Sequence, residues 1–510
     1  MNQITLHKLQ EACFMGMIIF LPFGNIPLRF RLVNTLHSLP FICCLIGILL
    51  LIIEHIKSHE FMEDSSQVAT NEKRYKRFAL AYGIWPIFCI IIGSLQYPFF
   101  ADTNMSTAPW IGKLKVLFSF VGDDYLDSIT SATMFIYRDF KEELFPAIGG
   151  SLFTYYLFKS NFRRGIKLCV ISVIILISFC IIYSIPEILW LWTNSEFCEE
   201  ILKHVNIYIY DVPVPPAWHP PLLWWGQLRS LFDEPSSFGI VGSFCYPLMM
   251  LVPDKSKYQL VYKVFLLAAF CLMIIMTQSR TAVCLFIAET ILMAGYLLLK
   301  KYKKSFIIML ISVIFGLFIY NLGPVLLPQG SLSDHHQNGD TLSQQGNYIS
   351  RNVESLAGTG KRSNGARYGM TISSLKVGIQ HPIVGVGKGY ESLYMEKVLP
   401  DFAKDNDEIG AWMKNTKEKG ITKMGSFILN QYTESLATSG LIGLILLVTP
   451  PVYLIYSLIK RKLINRTIPA ILLIVLIGQL TAMLSGPYWY TYPITIGLLL
   501  CCINDAKYMH

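Results

Sequence analysis

The sequence predicts an all-α polytopic membrane protein of about twelve transmembrane helices, with a large loop on one side that contains short helices. Three observations carry this expectation. The 510 residues are 53% hydrophobic and only 15% charged, more apolar surface than a water-soluble domain of this length hides. The apolar residues gather into runs close to the roughly 20 residues a helix needs to cross about 30 Å of hydrocarbon. The basic residues gather in short loops between those runs, as they do on the cytoplasmic side of a membrane.

In chain order the runs fall near 11–25, 38–56, 78–96, 144–159, 166–193, 235–252, 259–277, 279–299, 305–326, 434–458, 466–485 and 488–503. The first is read as a retained span, because "MNQITLHKLQEACFMGMIIFLPFGN" offers no small-residue cleavage site. With that alternation "EHIKSHEFMEDSSQVATNEKRYKR", "KSNFRRGIK", "DKSKYQ", "KKYKK" and "KRKLINR" all fall on one side, the expected cytoplasm, together with both termini. The other, outer side carries loops near 97–143, 194–234 and 327–433. The chain then divides into residues 1–326 with nine spans, the large loop 327–433, and residues 434–510 with three more spans. Inside the large loop, "PQGSLSDHHQNGDTLSQQGNYIS" is polar and irregular. "GARYGMTISSLKVGIQHP" reads as a helix stopped at Pro382, and "IVGVGKGY" as a glycine-dense turn where backbone approaches a ligand.

The net charge of +9 does not point to nucleic acid, since no basic stripe with interleaved aromatics is present. Of twelve cysteines, eleven lie in apolar runs, where cysteine acts as a small hydrophobe, and Cys198 stands alone in a polar loop. No disulfide framework or metal spacing emerges, and His219, His335 and His336 read as solvated loop residues. The sequence shows no internal repeat and no phosphate-loop or dinucleotide fingerprint.

Arginines on the expected outer face run against the charge bias and require another reason. Arg229 lies in "WWGQLRSLFDEPSSFG", Arg280 in "QSRTA" between two apolar runs, and Arg367 in "GARYGM". Each alone reads equally well as a cap or a partner of Asp233 or Glu234. Together, at span mouths, they offer planar donor forks suited to a phosphate or diphosphate, the headgroup chemistry that arrives at that depth. Two carboxylates stand nearby in the sequence. Glu234 precedes Pro235, a residue suited to a first helical turn, and Glu434 opens an outer-face span. Either is a candidate to take a proton from an attacking hydroxyl or a plain helix-start charge. The aromatics of "VPVPPAWHPPLLWWGQL" form either an interfacial belt or a sugar-stacking platform.

In order, "FDEPSSFG", "QSRTA", "GARYGM…HPIVGVGKGY" and "NQYTESLATSGLIGL" resemble the O-antigen polymerase (Wzy) and O-antigen ligase superfamily over about residues 229–445. The resemblance implies a C-type glycosyltransferase working without metal or cofactor. Its implied partners are undecaprenyl-diphosphate-linked glycans and membrane lipids, with a polysaccharide chain-length regulator as a further one. Polymerases of this kind carry an arginine, ten residues and a glycine, as Arg367 and Gly378 do here; Arg229 and Gly239 have nine residues between them. The ligase pattern places a histidine before Asn, Ser or Gln, then nine residues and a glycine. Asn430 and Gly440 fit it, but Leu429 stands where the histidine belongs, so the polymerase branch is expected. Arg280 and Arg367 are then the expected catalytic cations, with Arg229 as a further diphosphate ligand and Glu434 or Glu234 as the base. A ligase is the first alternative. A lipid-linked oligosaccharide flippase is the second, disfavoured because no internal repeat is seen, the conspicuous arginines sit at span ends, and the loop between the ninth and tenth spans is large and asymmetric.

Overall fold

The computed structural model describes residues 3–27, 30, 37–58, 67–102, 104, 109–210, 226–327, 362–424 and 429–505. Among them there is no strand. The N-terminal half comprises α1 Gln3–Ile19, α2 Leu39–Ser58, α3 Gln67–Gln96, α4 Pro109–Leu117, α5 Asp123–Asp139, α6 Gly150–Phe158, α7 Phe162–Thr193 and α8 Glu196–Ile209. Next come α9 Pro235–Met249, α10 Lys257–Met276, α11 Arg280–Leu299 and α12 Lys303–Leu326. The remaining helices are α13 Arg362–Gln380, α14 Glu391–Lys397, α15 Asp401–Lys404, α16 Asp407–Lys419, α17 Ile421–Met424, α18 Gln431–Lys460, α19 Thr467–Ala482 and α20 Thr491–Asn504. Seven of them (α2, α3, α7, α10, α11, α12 and α18) are long and apolar enough to cross a membrane, and α19 and α20 are shorter apolar helices. The chain is an all-α polytopic membrane protein.

Every apolar run of the sequence lies on a helix, with two corrections of extent. The run expected over 11–25 is α1, which starts earlier and ends in a 3-10 turn Leu21–Phe23, where Pro22 cannot continue the ladder. The stretch 97–143, expected as a loop, instead contains α4 and α5. From α5 the chain passes unbroken through a π-helical stretch, Phe140–Gly149, into α6. Ser128, Ser131, Ala132, Phe135 and Asp139 are all buried, and their spacing of three and four residues defines one face of α5. Because that face mixes hydroxyls with apolar groups, it carries little hydropathy signal. The polar segment 328–350, with His335 and His336, and the aromatic segment 211–225, with His219, lie outside the described residues.

The basic loops converge at one end of the bundle. Lys304 Nζ lies 3.3 Å from Asp254 Oδ2, Lys300 Nζ donates to Asn465 Oδ1 at 2.6 Å, and Arg164 pairs with Glu11 at 2.7 Å. Arg461 donates to the Ile503 carbonyl near the C-terminal end of α20.

At the other end, α18 is broken. Gly440 has φ +66°, so the amide of Leu441 leaves its helical acceptor and donates to Pro382 O at 2.7 Å. Two carbonyls are thereby freed for the incoming chain: Val386 N donates to Ala437 O at 2.8 Å and Gly387 N to Thr438 O at 3.0 Å. Trp85 Nε1 of α3 takes the Ser439 carbonyl at 2.8 Å. Each backbone group released by the kink therefore finds a partner, as buried peptide groups must. A Cβ on Gly440 would lie 2.1 Å from Ile383 O, and one on Gly385 2.5 Å from Ala437 O. The glycines of "IVGVGKGY", expected to let backbone approach a ligand, bring it onto the broken helix instead.

Candidate active site at the kinked end of the bundle

Arg280 occupies the first position of α11. A turn with Gln278 at φ +49° separates it from α10, and Leu228 N donates to Met276 O at 3.0 Å, fixing residues 226–234 beside that turn. Gly239 lets α9 press against α11, since a Cβ there would meet Ala282 Cβ at 2.3 Å. The two helix N-termini, with Glu234 as the cap residue of α9, thus stand side by side. Their amides point toward the same end, an arrangement favourable to anions.

Arg367 reaches this place from α13. Gly378 lies eleven residues on, about three turns and the same helix face. A Cβ at Gly378 would meet Leu436 Cγ at 2.5 Å, so the glycine seats α13 on α18 and aims Arg367 at the rim. Its Nη1 donates to Ser485 O at 3.1 Å. Burial pushes the Arg367 guanidinium below its ordinary range, Glu234 raises it, and the neighbouring Arg280 cation lowers it again. Glu234 responds in kind. Burial lifts its carboxyl above the usual carboxylate range, Asp233 adds to this, and the Ser236 hydroxyl (3.2 Å) and Arg367 oppose it. Arg280, Arg367 and Glu234 thus form one electrostatic group.

Arg229 and Glu434 are placed elsewhere. Arg229 is 4% exposed and its guanidinium lies 3.7 Å from the centre of the Tyr210 ring. Next to it Ser230 N donates to Glu187 Oε2 at 2.8 Å. Its side chain is turned into protein, toward α7 and α8, away from the expected diphosphate role. Glu434 is buried in the first turn of α18 and lines a narrow extension of a second group of charges.

That second group borders a cavity of about 600 Å³ whose walls include Asp139, Glu143, Lys388, Gln431, Tyr488 and Trp489. Lys388 Nζ lies 2.9 Å from Asp139 Oδ1 and also pairs with Glu143. Gln431 Nε2 donates to Glu143 Oε1 at 3.3 Å, and Tyr488 donates to the Glu143 carbonyl at 3.2 Å. Sequence reasoning missed these residues. The available signal was "RDFKEELFP", five charges immediately before an apolar run, and a lysine held among three glycines and an aromatic in "GVGKGY". The loop Ser485–Tyr490 connects the two groups: its first carbonyl holds Arg367 and its aromatics wall the cavity.

Leu429 packs against the apolar cluster of Ala366 and Met370, and Asn430 caps α18, accepting from Tyr432 N at 3.0 Å and Thr433 N at 3.2 Å. Among the described residues no three His, Cys, Asp or Glu side chains are grouped to hold a metal.

No curated protein matches the chain. Residues 264–448 match the family model Wzy_C, described as O-antigen ligase; this span includes Arg280, Arg367, Lys388 and Glu434. Over these residues the match supports the Wzy and O-antigen ligase superfamily, and it does not separate polymerase from ligase.

Proposed function

We propose that this protein is a surface-polysaccharide polymerase, joining undecaprenyl-diphosphate-linked repeat units on the periplasmic side of the inner membrane. The observation that carries the reading is the convergence of Arg280, Arg367 and Glu234 from three separate helices at one bundle end. In the reaction a hydroxyl at the non-reducing end of the acceptor repeat attacks the anomeric carbon of the donor chain. A new glycosidic bond forms, the bond from that carbon to the diphosphate oxygen breaks, and the electron pair leaves with undecaprenyl diphosphate. Arg280 and Arg367 hold the departing diphosphate and neutralise its growing charge. The hydroxyl proton passes to Glu234, whose raised pKa makes it a stronger base than an ordinary carboxylate. Because the donor already carries its leaving group, the enzyme's remaining work is to position two lipid substrates.

The ligase reading lacks its base, since Leu429 stands at the histidine position and packs into an apolar cluster. The test is polymer formation in cells at matched expression. Arg280→Ala and Arg367→Ala should each lower it by about a hundredfold or more. Lysine at either position should restore only part, because a point charge lacks the bidentate fork. Wild-type ladders from both alanine variants would remove the arginines from the chemistry. In a deletion strain, single repeats held on the outer leaflet support the polymerase, and repeats held on the inner leaflet support the flippase.

A further inference from the structure

We propose that the cavity between Asp139, Lys388 and the Pro487–Tyr490 loop is a glycan subsite that seats the non-reducing-end sugar of the acceptor repeat. The identity of the sugar-bearing ligand rests on the polymerase reading; the chemistry of the cavity does not. Its volume, about 600 Å³, falls within the roughly 300–1,000 Å³ of small-ligand sites. Its charges offset one another: Arg138, Lys141, Lys388 and Lys423 face Asp139, Glu142, Glu143 and, in the extension, Glu434. A cavity so balanced has no excess cation for a diphosphate. It instead offers carboxylate acceptors, an amide and aromatic faces, the set that fits a ring bearing many hydroxyls on an apolar carbon skeleton.

Asp139 supplies an independent sign of a missing ligand. It is 3% exposed, and one oxygen is taken by Lys388 at 2.9 Å. The other, Oδ2, is buried with no hydrogen-bond partner among the described residues, on a residue that lines both the cavity and its extension. A carboxylate oxygen left so is costly, and a sugar hydroxyl donating to it removes the cost. The geometry also links the subsite to the reaction, because the loop that ends at Tyr490 begins at the carbonyl holding Arg367. Acceptor sugar and donor diphosphate then meet on opposite sides of one short loop.

The experiment uses the purified full-length protein in detergent. The probe is the single repeat unit released by mild acid from the lipid-linked pool of a deletion strain, and so free of diphosphate. Binding is followed by tryptophan fluorescence and calorimetry. Saturable binding is expected, undisturbed by excess inorganic pyrophosphate. Asp139→Asn, nearly isosteric, and Trp489→Ala should each weaken it at least tenfold, and Trp489→Tyr should keep it within about threefold. Absence of saturable binding, equal affinity in the Asp139→Asn and Trp489→Ala proteins, or displacement by pyrophosphate overturns the proposal. If Asp139→Asn does not elute as a folded species, the Trp489 pair decides alone. Since binding is read without turnover, a protein that binds the free repeat but forms no polymer retires the polymerase reading and leaves the subsite standing. One that polymerises without binding the free repeat does the reverse.

Discussion

The arginine rim and the lysine cavity lie at the same end of the bundle, yet they hold charge in different ways. At the rim, Arg367 is anchored through a backbone carbonyl and senses Glu234 and Arg280 at longer range. In the cavity, Lys388 is clasped directly by two carboxylates, one of them fully buried. A cation positioned by backbone keeps most of its donor capacity for an incoming anion, whereas a cation closed on by acids shapes its surroundings and attracts little. The rim is therefore suited to capture, and the cavity to fit.

The comparison can be broken, and the largest effect tests the element that both groups lean on. Gly440→Val forces a branched side chain onto φ +66° and against Ile383 O, so little folded protein should be recovered in size-exclusion chromatography. Next, Lys388→Met leaves Asp139 and Glu143 without their counter-ion. That should cost about 3 kcal/mol and lower the melting temperature by several degrees, whereas Arg367→Met, which breaks no close ion pair among the described residues, should leave melting nearly unchanged while polymerisation falls. Equal melting of the two variants would erase the distinction between capture and fit. Third, Arg229→Met should act as a packing change, costing about 1–2 kcal/mol through the lost contact with Tyr210 and reducing polymer only in proportion to folded protein. The smallest effect is on pH. If Glu234 takes the proton as a carboxylate, activity rises as pH climbs through its raised pKa. Asp233→Asn, by removing a charge that raises it, should then move the acidic limb of the pH–rate profile downward. An unmoved limb would take Glu234 out of the proton transfer.

The rim was legible in the sequence because it is built from span ends. Arg280 directly precedes an apolar run and Arg367 opens an amphipathic segment, so chain position nearly equals spatial position. Arg229 also lies close to a span mouth, but its side chain is turned inward onto Tyr210, nineteen residues earlier at the C-terminal end of α8. The cavity was illegible for a related reason. Asp139 and Glu143 sit in a stretch too polar to register as a span, and their partner Lys388 arrives only through the glycine-lined passage between α3 and α18. Hydropathy located every apolar run on a helix but could not foresee α5, whose buried face carries serines. Likewise Gly378 and Gly239 appeared as motif punctuation, and their work in seating α13 on α18 and α9 on α11 shows only in the packed protein.

The π-helical stretch Phe140–Gly149 gives one more consequence. A wider turn accommodates residues that an α-helix of the same length would not, so it sets the rotational phase between α5 on one side and α6 on the other. Deleting a single residue there at unchanged pitch would swing Asp139 by about one residue's rotation, roughly 100° about the axis. The apolar packing of α6 would stay in register while the carboxylate faced away from Lys388. That ten-residue segment is thus a phase adjuster, and small insertions or deletions within it offer a direct route to re-aiming the wall of the cavity without rebuilding the bundle.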